Sequence, residues 1–261
     1  MTFIIGNIQS LQFLNITRNI KSDVSWKDIA AVTYITSMYN NILPVGGAVA
    51  IRATLLKKIV GIAWSQVTAL MGIYYMLSYL AMSILLLFIA AIAYVQQSIE
   101  LEIFIFSMLI CMGMIIAILI FFMFPFKIPL RFRLATFSNR LFDTITLYKY
   151  KFRDHFKIGS QQLIIIFLTG VRLYLSFVFL DVSIDFWKLL FIQTFISFSL
   201  VFSLTPGNLG IKEGLIVLFA GFLDINEDIA IVGSLVDRGA GLLTVLMMGS
   251  IGKIWLFIKY R

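Results

Sequence analysis

Long apolar stretches separated by short polar segments dominate the pattern of this chain. A helix needs about 20 consecutive apolar residues to cross the hydrocarbon core of a bilayer, and stretches of about that length recur along the sequence. No stretch alternates with a period of two over the roughly ten residues that are typical of a membrane barrel strand. The pattern therefore predicts an all-α polytopic integral membrane protein with spanning helices at about 72–95, 103–124, 161–180 and 229–251, the first extended by 62–71.

Two other apolar regions, 26–60 and 186–224, are interrupted by residues that break helices. Proline lacks a backbone donor and glycine admits backbone angles that other residues avoid, so a helix that enters either region must break. Inside a membrane such breaks are tolerated only where the backbone is buried in protein or lines a wet cavity. We expect two broken, re-entrant helix hairpins in a helical bundle, with breaks at Pro44, Gly46 and Gly47 and at Pro206, Gly207 and Gly210.

The distribution of charge indicates how these elements are oriented. Segment 125–160 is rich in Lys and Arg, so the positive-inside rule places this basic loop in the cytoplasm, and counting spans from it places the C-terminus there too. The same count makes 26–60 enter and leave from the cytoplasm and 186–224 from the outside. A pair of full crossings satisfies the count for 186–224 equally well. Hairpins that enter from opposite sides are typical of an inverted repeat.

Composition supports the membrane class. The chain is 61% hydrophobic and 13% charged, whereas soluble domains have about 45–50% apolar and about 25% charged residues. The net charge of +8 lies mainly in the basic loop, which favours contact with anionic lipid headgroups and not with nucleic acid. Residues 1–25 predict an interfacial helix, because their apolar stretch is short and interrupted. We interpret 1–261 as a single transmembrane domain.

Ionisable side chains inside the apolar segments are the strongest functional signal. A charge at the bilayer centre costs at least about 2.5 to 3.5 kcal/mol, so each one needs a partner or water. The cations are Arg52, Arg172, Lys212 and Arg238, and the acids are Glu213 and Asp237. Four cations minus two acids leaves a surplus of two positive charges, which predicts an anionic ligand. Guanidinium groups and the half-helix that opens after Gly210 both suit the oxygens of a lipid phosphate, with the two acids balancing charge in the cavity.

A structural alternative places these charges in internal pairs, such as Arg238 with Glu213 and Lys212 with Asp237. The sequence offers little other chemistry. It has one histidine and one cysteine, and it contains no phosphate-binding loop, dinucleotide-binding glycine motif or catalytic triad. We therefore predict no metal, no cofactor and no enzymatic activity.

Two motifs identify a related family. The first runs from Asn41-Ile42-Leu43-Pro44 through Gly46-Gly47 to Arg52, and the second reads Thr205-Pro206-Gly207-Asn208-Leu209-Gly210-Ile211-Lys212-Glu213, with Arg238 embedded later. Together they resemble the transmembrane region of lysylphosphatidylglycerol synthases and the wider flippase-like family. The resemblance implies a polytopic domain associated with moving lipid between leaflets. Full-length members join it to a soluble aminoacyl-transferase, and some relatives are linked with glycosyltransferases that act on polyprenyl-phosphate lipids.

The chain departs from the family pattern in two respects. Family members usually have an acidic residue soon after the first glycine of the N-terminal motif, but Gly47-Ala48-Val49 has none, which leaves Arg52 without that partner. The N-terminal part also lacks a clear first spanning helix, which indicates a shortened subfamily or a start that lies further upstream. No synthase domain follows Arg261 in this sequence, so lipid aminoacylation is not expected from this chain alone.

These observations favour a flippase-like transporter in the plasma membrane that moves an anionic phospholipid or a polyprenyl-phosphate lipid between leaflets. The alternative is an accessory membrane domain that does not transport, but docks or activates a separate synthase or glycosyltransferase. Group transfer onto a lipid phosphate is a third hypothesis, which lacks an evident base or nucleophile. The expected partners are lipids with anionic headgroups and, for the alternative, such an enzyme. A homodimer through lipid-facing helices is a further hypothesis.

Overall fold

The computed structural model of the protein describes residues 1–43, 47–96, 99–123, 152–199 and 205–261. Every regular element in these ranges is helical. A 3-10 turn, Pro206–Asn208, precedes α8, and the α-helices are α1 (Thr2–Arg18), α2 (Trp26–Asn40), α3 (Gly47–Val60), α4 (Trp64–Val95), α5 (Leu101–Met123), α6 (Phe152–Val178), α7 (Phe186–Ser199), α8 (Ile211–Leu218) and α9 (Glu227–Lys259).

Four of these helices are long and apolar enough to cross a membrane. They are α4, α5, α6 and α9, and they coincide with the four predicted spans. The extension of the first span by 62–71 is also confirmed, since α4 begins at Trp64. The all-helical membrane class predicted from the sequence is thus confirmed.

Helix α6 begins before the predicted start of the third span. Helix α6 begins at Phe152, so residues 152–160 are helical and do not belong to the basic loop that the sequence predicts over 125–160. Asp154 lies in the first turn of the helix, where a negative charge is favourable, and it accepts a hydrogen bond of 2.8 Å from Asn19. Ile158 is fully buried, which fixes this turn against the bundle. Residues 124–151 of the loop lie outside the described residues.

The two regions with predicted breaks form pairs of short helices. Helices α2 and α3 have 15 and 14 residues, and α7 and α8 have 14 and 8. At 1.5 Å per residue the longest of them measures about 22 Å, which is less than the roughly 30 Å of a bilayer core. As far as the structure describes them, each of the four is therefore shorter than the core, and α7 ends where the described range ends. Pro44 and Gly46 lie outside the described residues, and Gly47 is the first residue of α3.

Helix α4 connects two hydrophobic clusters. Its first half, including Leu70 and Ile73, packs with α1, α2 and α3, and its second half, including Leu86 and Ile89, packs with α6, α7 and α8. Polar residues of α4 lie at the junction between the two clusters. The core is therefore divided into two parts, and the gap between them contains the site described below.

Helix α1 is part of this bundle. Phe13, Leu14 and Ile16 are buried, and the helix packs against α2, α4, α6 and α9. These contacts do not give the depth of α1 in the membrane, so its interfacial position stays a prediction. By contrast, α5 contacts mainly α4 and exposes apolar side chains along most of its length, as expected for a lipid-facing helix.

Candidate anion-binding cavity

A cavity of about 400 Å³ lies between the two halves of the core. Residues from α1, α2, α3, α4, α6, α7 and α9 line it, together with Thr205 before the 3-10 turn. Arg52 and Arg172 are the charged residues of this lining, and no Asp, Glu or Lys from the described part of the chain contributes to it. Two of the four predicted phosphate ligands therefore face one cavity, which carries positive charge.

Arg172 reaches the cavity from α6 and is held by a carboxylate of α9. Its Nε and Nη2 donate to the two oxygens of Asp237 at 2.7 and 3.0 Å, and its Nη1 donates to Thr2 Oγ1 at 3.3 Å. Gly241 of α9 lies beside this guanidinium, and a Cβ added there would be in ordinary van der Waals contact with Nη1 at 3.4 Å. The side chain of Asp237 is fully buried. Such a fork between a guanidinium and a buried carboxylate is strong and geometrically specific.

Lys212 shares this carboxylate. Its Nζ forms an ion pair with Oδ2 of Asp237, so that one buried acid serves two cations from different helices. Lys212 does not line the cavity. The pair of Lys212 with Asp237 is one of the internal pairs of the structural alternative, and Arg172 joins it as a third member. The three groups together carry one net positive charge.

Arg238 is paired in a second cluster away from the cavity lining. Its Nε lies 2.7 Å from Oε1 of Glu213, and its Nη2 donates to Glu213 Oε2 and to the backbone oxygen of Asn208, each at 3.1 Å. The same Oε2 accepts the backbone N–H of Gly210 at 2.8 Å. The backbone N–H of Gly210, at the start of α8, was predicted to bind a phosphate, but it already donates to Glu213. The pairing of Arg238 with Glu213 also follows the structural alternative.

Arg52 differs from the other three cations because it has no carboxylate partner among the described residues. Its guanidinium carbon lies 4.3 Å from the ring centre of Phe13, which is cation–π geometry. Its Nε is buried and has no hydrogen-bond partner in the described structure. A buried donor without an acceptor is costly, so this group is suited to an anion that enters the cavity.

The two broken regions meet beside the cavity. Gly207 has φ of +59°, and a Cβ added there would lie 2.6 Å from Oδ1 of Asn41 and 3.3 Å from its Cα. Only glycine tolerates both the left-handed backbone and this close approach. Pro206 is exposed, whereas Asn208 is buried and neither atom of its side-chain amide has a hydrogen-bond partner. Asn41 and Thr205, which precede the two predicted breaks in the sequence, both line the cavity.

Some lining residues were missed in the sequence analysis. Gln9 of α1, Gln193 of α7 and the tyrosines Tyr75 and Tyr79 of α4 face the cavity. Gln9 could have been predicted, because amides rarely face lipid and a glutamine within an apolar stretch therefore indicates a polar site. No group of three or more His, Cys, Asp or Glu in the described ranges could hold a metal ion.

Comparison with known protein families gives one match. The sequence matches the family described as Lysylphosphatidylglycerol synthase TM region over residues 9–249. The chain belongs to this family. The matched range contains Arg52, Arg172, both broken regions and most of the residues that line the cavity. Comparison with curated proteins and with solved structures finds no match.

Proposed function

We propose that this protein is a flippase-like transporter that moves a lipid with an anionic headgroup between the leaflets of the membrane. One observation carries the proposal: the cavity between the two halves of the core is lined by Arg52 and Arg172 and, in the described part of the chain, by no carboxylate. Its volume of about 400 Å³ falls within the range of about 300 to 1,000 Å³ that is typical of ligand sites. Membership of the family supports a role connected with membrane lipids.

In this proposal only the headgroup enters the cavity, and the acyl chains stay in the surrounding lipid. A phosphate cannot cross the hydrocarbon core without polar partners, because desolvation of an unpaired charge is prohibitive. Arg52 supplies a cation that has no carboxylate partner in the described part of the chain, and Arg172 supplies a second cation that Asp237 holds in place. The chain then translocates the lipid and leaves its covalent structure unchanged.

We further propose how the protein lies in the membrane. The helix pairs α2/α3 and α7/α8 are re-entrant hairpins from opposite leaflets that form an inverted repeat, and their contact at Gly207 and Asn41 supports this arrangement. The basic loop and the C-terminus are cytoplasmic, and the membrane is the plasma membrane. The test uses an Arg261→Cys variant in a Cys111→Ser background. Labelling of intact cells by a membrane-impermeant maleimide would contradict the proposed orientation.

The main experiment is a leaflet-exposure assay. The purified full chain is reconstituted into vesicles that contain fluorescent phosphatidylglycerol, and a membrane-impermeant reductant bleaches only the lipid in the outer leaflet. We expect bleaching beyond the outer half with the native protein. The Arg52→Gln variant should move lipid at least about tenfold more slowly, the loss expected for a hydrogen-bonded charge. The matched control is Arg153→Gln, because Arg153 is exposed at the start of α6.

The outcomes separate the three functions considered. Unchanged bleaching with Arg52→Gln would contradict the role of the cavity. Absence of lipid movement, with stable co-purification of a synthase or glycosyltransferase, would favour the accessory role. A new lipid product in the vesicles, detected by mass spectrometry, would favour enzymatic transfer.

A further inference from the structure

Exposed tryptophans lie beside lysines at the start of α2, the start of α4 and the end of α9. Trp26, Trp64 and Trp255 are 40%, 41% and 39% exposed. Lys27 Nζ lies 5.4 Å from the ring centre of Trp255, and Lys57 Nζ lies 5.6 Å from that of Trp64. Tryptophan rings and the long stems of lysines concentrate where the hydrocarbon core of a bilayer meets the headgroups. These helix ends therefore have the composition of a surface at headgroup level.

The last turns of α9 are fastened to the start of α2 by one buried carboxylate. Asp28 is 4% exposed and accepts hydrogen bonds from Lys259 Nζ at 2.6 Å, from Tyr260 Oη at 2.9 Å and from Trp255 Nε1 at 3.2 Å. We call the contact between α2 and these turns of α9 the seam. Its buried acid forms an ion pair with Lys259, and the other lysines of the seam lie outside this pair.

Two of these lysines have no carboxylate partner. Lys27 and Lys253 are exposed, and neither forms an ion pair with an Asp or Glu of the described residues. Lys253 Nζ donates to Tyr39 Oη at 3.0 Å and lies 5.2 Å from the centre of that ring, much as Lys27 lies over Trp255. An aromatic ring positions an ammonium group without neutralising it. The seam therefore presents two positioned positive charges at its surface.

An apolar surface leads from these charges toward the middle of α9. Met247, Ile251 and Ile254 are 66%, 55% and 60% exposed. Their spacing of four and three residues places them on one face of the helix. A ligand that fits this arrangement has a negative group at the lysines and hydrocarbon along the apolar face. An anionic phospholipid of the surrounding leaflet has both parts, whereas a soluble anion has nothing to place on the apolar face.

From these features we infer that the seam binds an anionic phospholipid as a structural lipid, with its headgroup at Lys27 and Lys253 and its acyl chains along the exposed face of α9. This inference goes beyond the proposed function, because neither lysine lines the cavity and no lipid movement is involved. Trp255 contacts both Lys27 and Asp28, so a lipid bound at this place braces α9 against α2.

The test uses the fluorescence of Trp255. The chain has four tryptophans, and Trp26→Phe, Trp64→Phe and Trp187→Phe leave Trp255 as the reporter with its hydrogen bond to Asp28 intact. The full chain is reconstituted into vesicles that contain equal fractions of brominated phosphatidylglycerol or brominated phosphatidylcholine, whose bromine quenches an indole in contact. We expect phosphatidylglycerol to bind at least about fivefold more tightly, the factor that one lysine near an anionic headgroup supplies.

Two substitutions locate this preference. Lys27→Gln combined with Lys253→Gln should lower it to less than about twofold. The matched control is Lys188→Gln, because Lys188 also lies over a ring, 5.3 Å from the centre of Phe222, but is already paired with Asp224 at 2.7 Å. An unchanged preference in the double variant would overturn the inference. If the double variant does not fold, Lys27→Gln alone carries the test, with an expected loss of about threefold.

Two further measurements separate this lipid from a soluble anion and from the cavity. Excess inorganic phosphate at constant ionic strength should leave the difference in quenching unchanged, and its loss would assign the seam to a soluble anion and overturn the inference. Arg52→Gln should also leave it unchanged, because Arg52 lines the cavity. A loss in that variant would place the bound lipid in the cavity and equally overturn the inference. Since lipid movement is not measured, the transport proposal stands or fails separately.

Discussion

Arg172 and Asp237 are joined across α6 and α9 by two hydrogen bonds of 2.7 and 3.0 Å, and this fork places the guanidinium at the wall of the cavity. Asp237 is at the same time the partner of Lys212. Removal of the carboxylate would leave two partly buried cations without compensation. The link therefore determines both the position of Arg172 and the stability of three helices.

We expect Asp237→Asn to lower the free energy of unfolding by about 3 to 5 kcal/mol, the cost of breaking a buried ion pair from one side. Unfolding of the purified protein by SDS, followed by circular dichroism, measures the change. The matched control is Asp224→Asn, because Asp224 pairs with Lys188 at 2.7 Å but its side chain is 80% exposed. That substitution should cost less than about 1 kcal/mol. Equal losses for the two variants would contradict the assigned role of Asp237.

The pair of Glu213 and Arg238 should show energetic coupling. Glu213 caps the start of α8 through Gly210 and also binds Arg238, so that one carboxylate performs two tasks. A double-mutant cycle with Glu213→Gln and Arg238→Gln should give a coupling energy of about 1 to 3 kcal/mol. The cycle for Lys188 and Asp224 provides the exposed comparison, with coupling below about 1 kcal/mol. A coupling near zero at Glu213 would mean that the two side chains act independently.

Two substitutions separate the energetic cost of a clash between Gly207 and Asn41 from the cost of backbone strain. Gly210 also has a left-handed backbone, with φ of +85°, but an added Cβ would meet nothing within 4 Å. Gly210→Ala should therefore cost about 1 to 2 kcal/mol from backbone conformation alone, whereas Gly207→Ala should cost about 2 to 5 kcal/mol. Thermal unfolding in detergent measures both. Asn41→Ala should partly rescue Gly207→Ala, and a lack of rescue would argue against the contact.

Close packing of α9 on α2 depends on glycine. A Cβ at Gly249 would lie 2.7 Å from Met38 Cβ, whereas a Cβ at Gly239 of the same helix would meet nothing within 4 Å. We expect Gly249→Ala to destabilise the protein by about 1 to 3 kcal/mol through overpacking. Gly239→Ala should stabilise it by up to about 1 kcal/mol, because alanine favours the helix. The two variants differ only in what surrounds the added methyl group. We therefore expect the midpoint of SDS unfolding to fall for Gly249→Ala and to rise for Gly239→Ala.

The sequence predicted the spanning helices well because lipid imposes a simple rule of length and apolarity. It misplaced the start of α6, since the polar residues from Arg153 to Lys157 read as loop by composition. Those residues form a helical turn because Asp154 and Ile158 find partners in the bundle, and such tertiary contacts leave no local pattern.

The candidate site was predicted only in part. Embedded cations were evident because charge in an apolar stretch is conspicuous, and Arg52 and Arg172 do face one cavity. The pairs of Lys212 with Asp237 and of Arg238 with Glu213 were predicted as one alternative, but the partner of Arg172 depends on the rotation of the helices, which cannot be read from spacing along one helix. The sharing of Asp237 between Arg172 and Lys212 was therefore not predicted.

The carboxylate beside Arg172 also bears on release. Any cargo that contacts this guanidinium competes with a negative charge that is already in place, so the net gain on entry is smaller than a bare cation would give. Weak holding shortens the residence time of the bound molecule. In the transport that we propose, this competition would favour turnover, because the bound molecule must dissociate after each cycle.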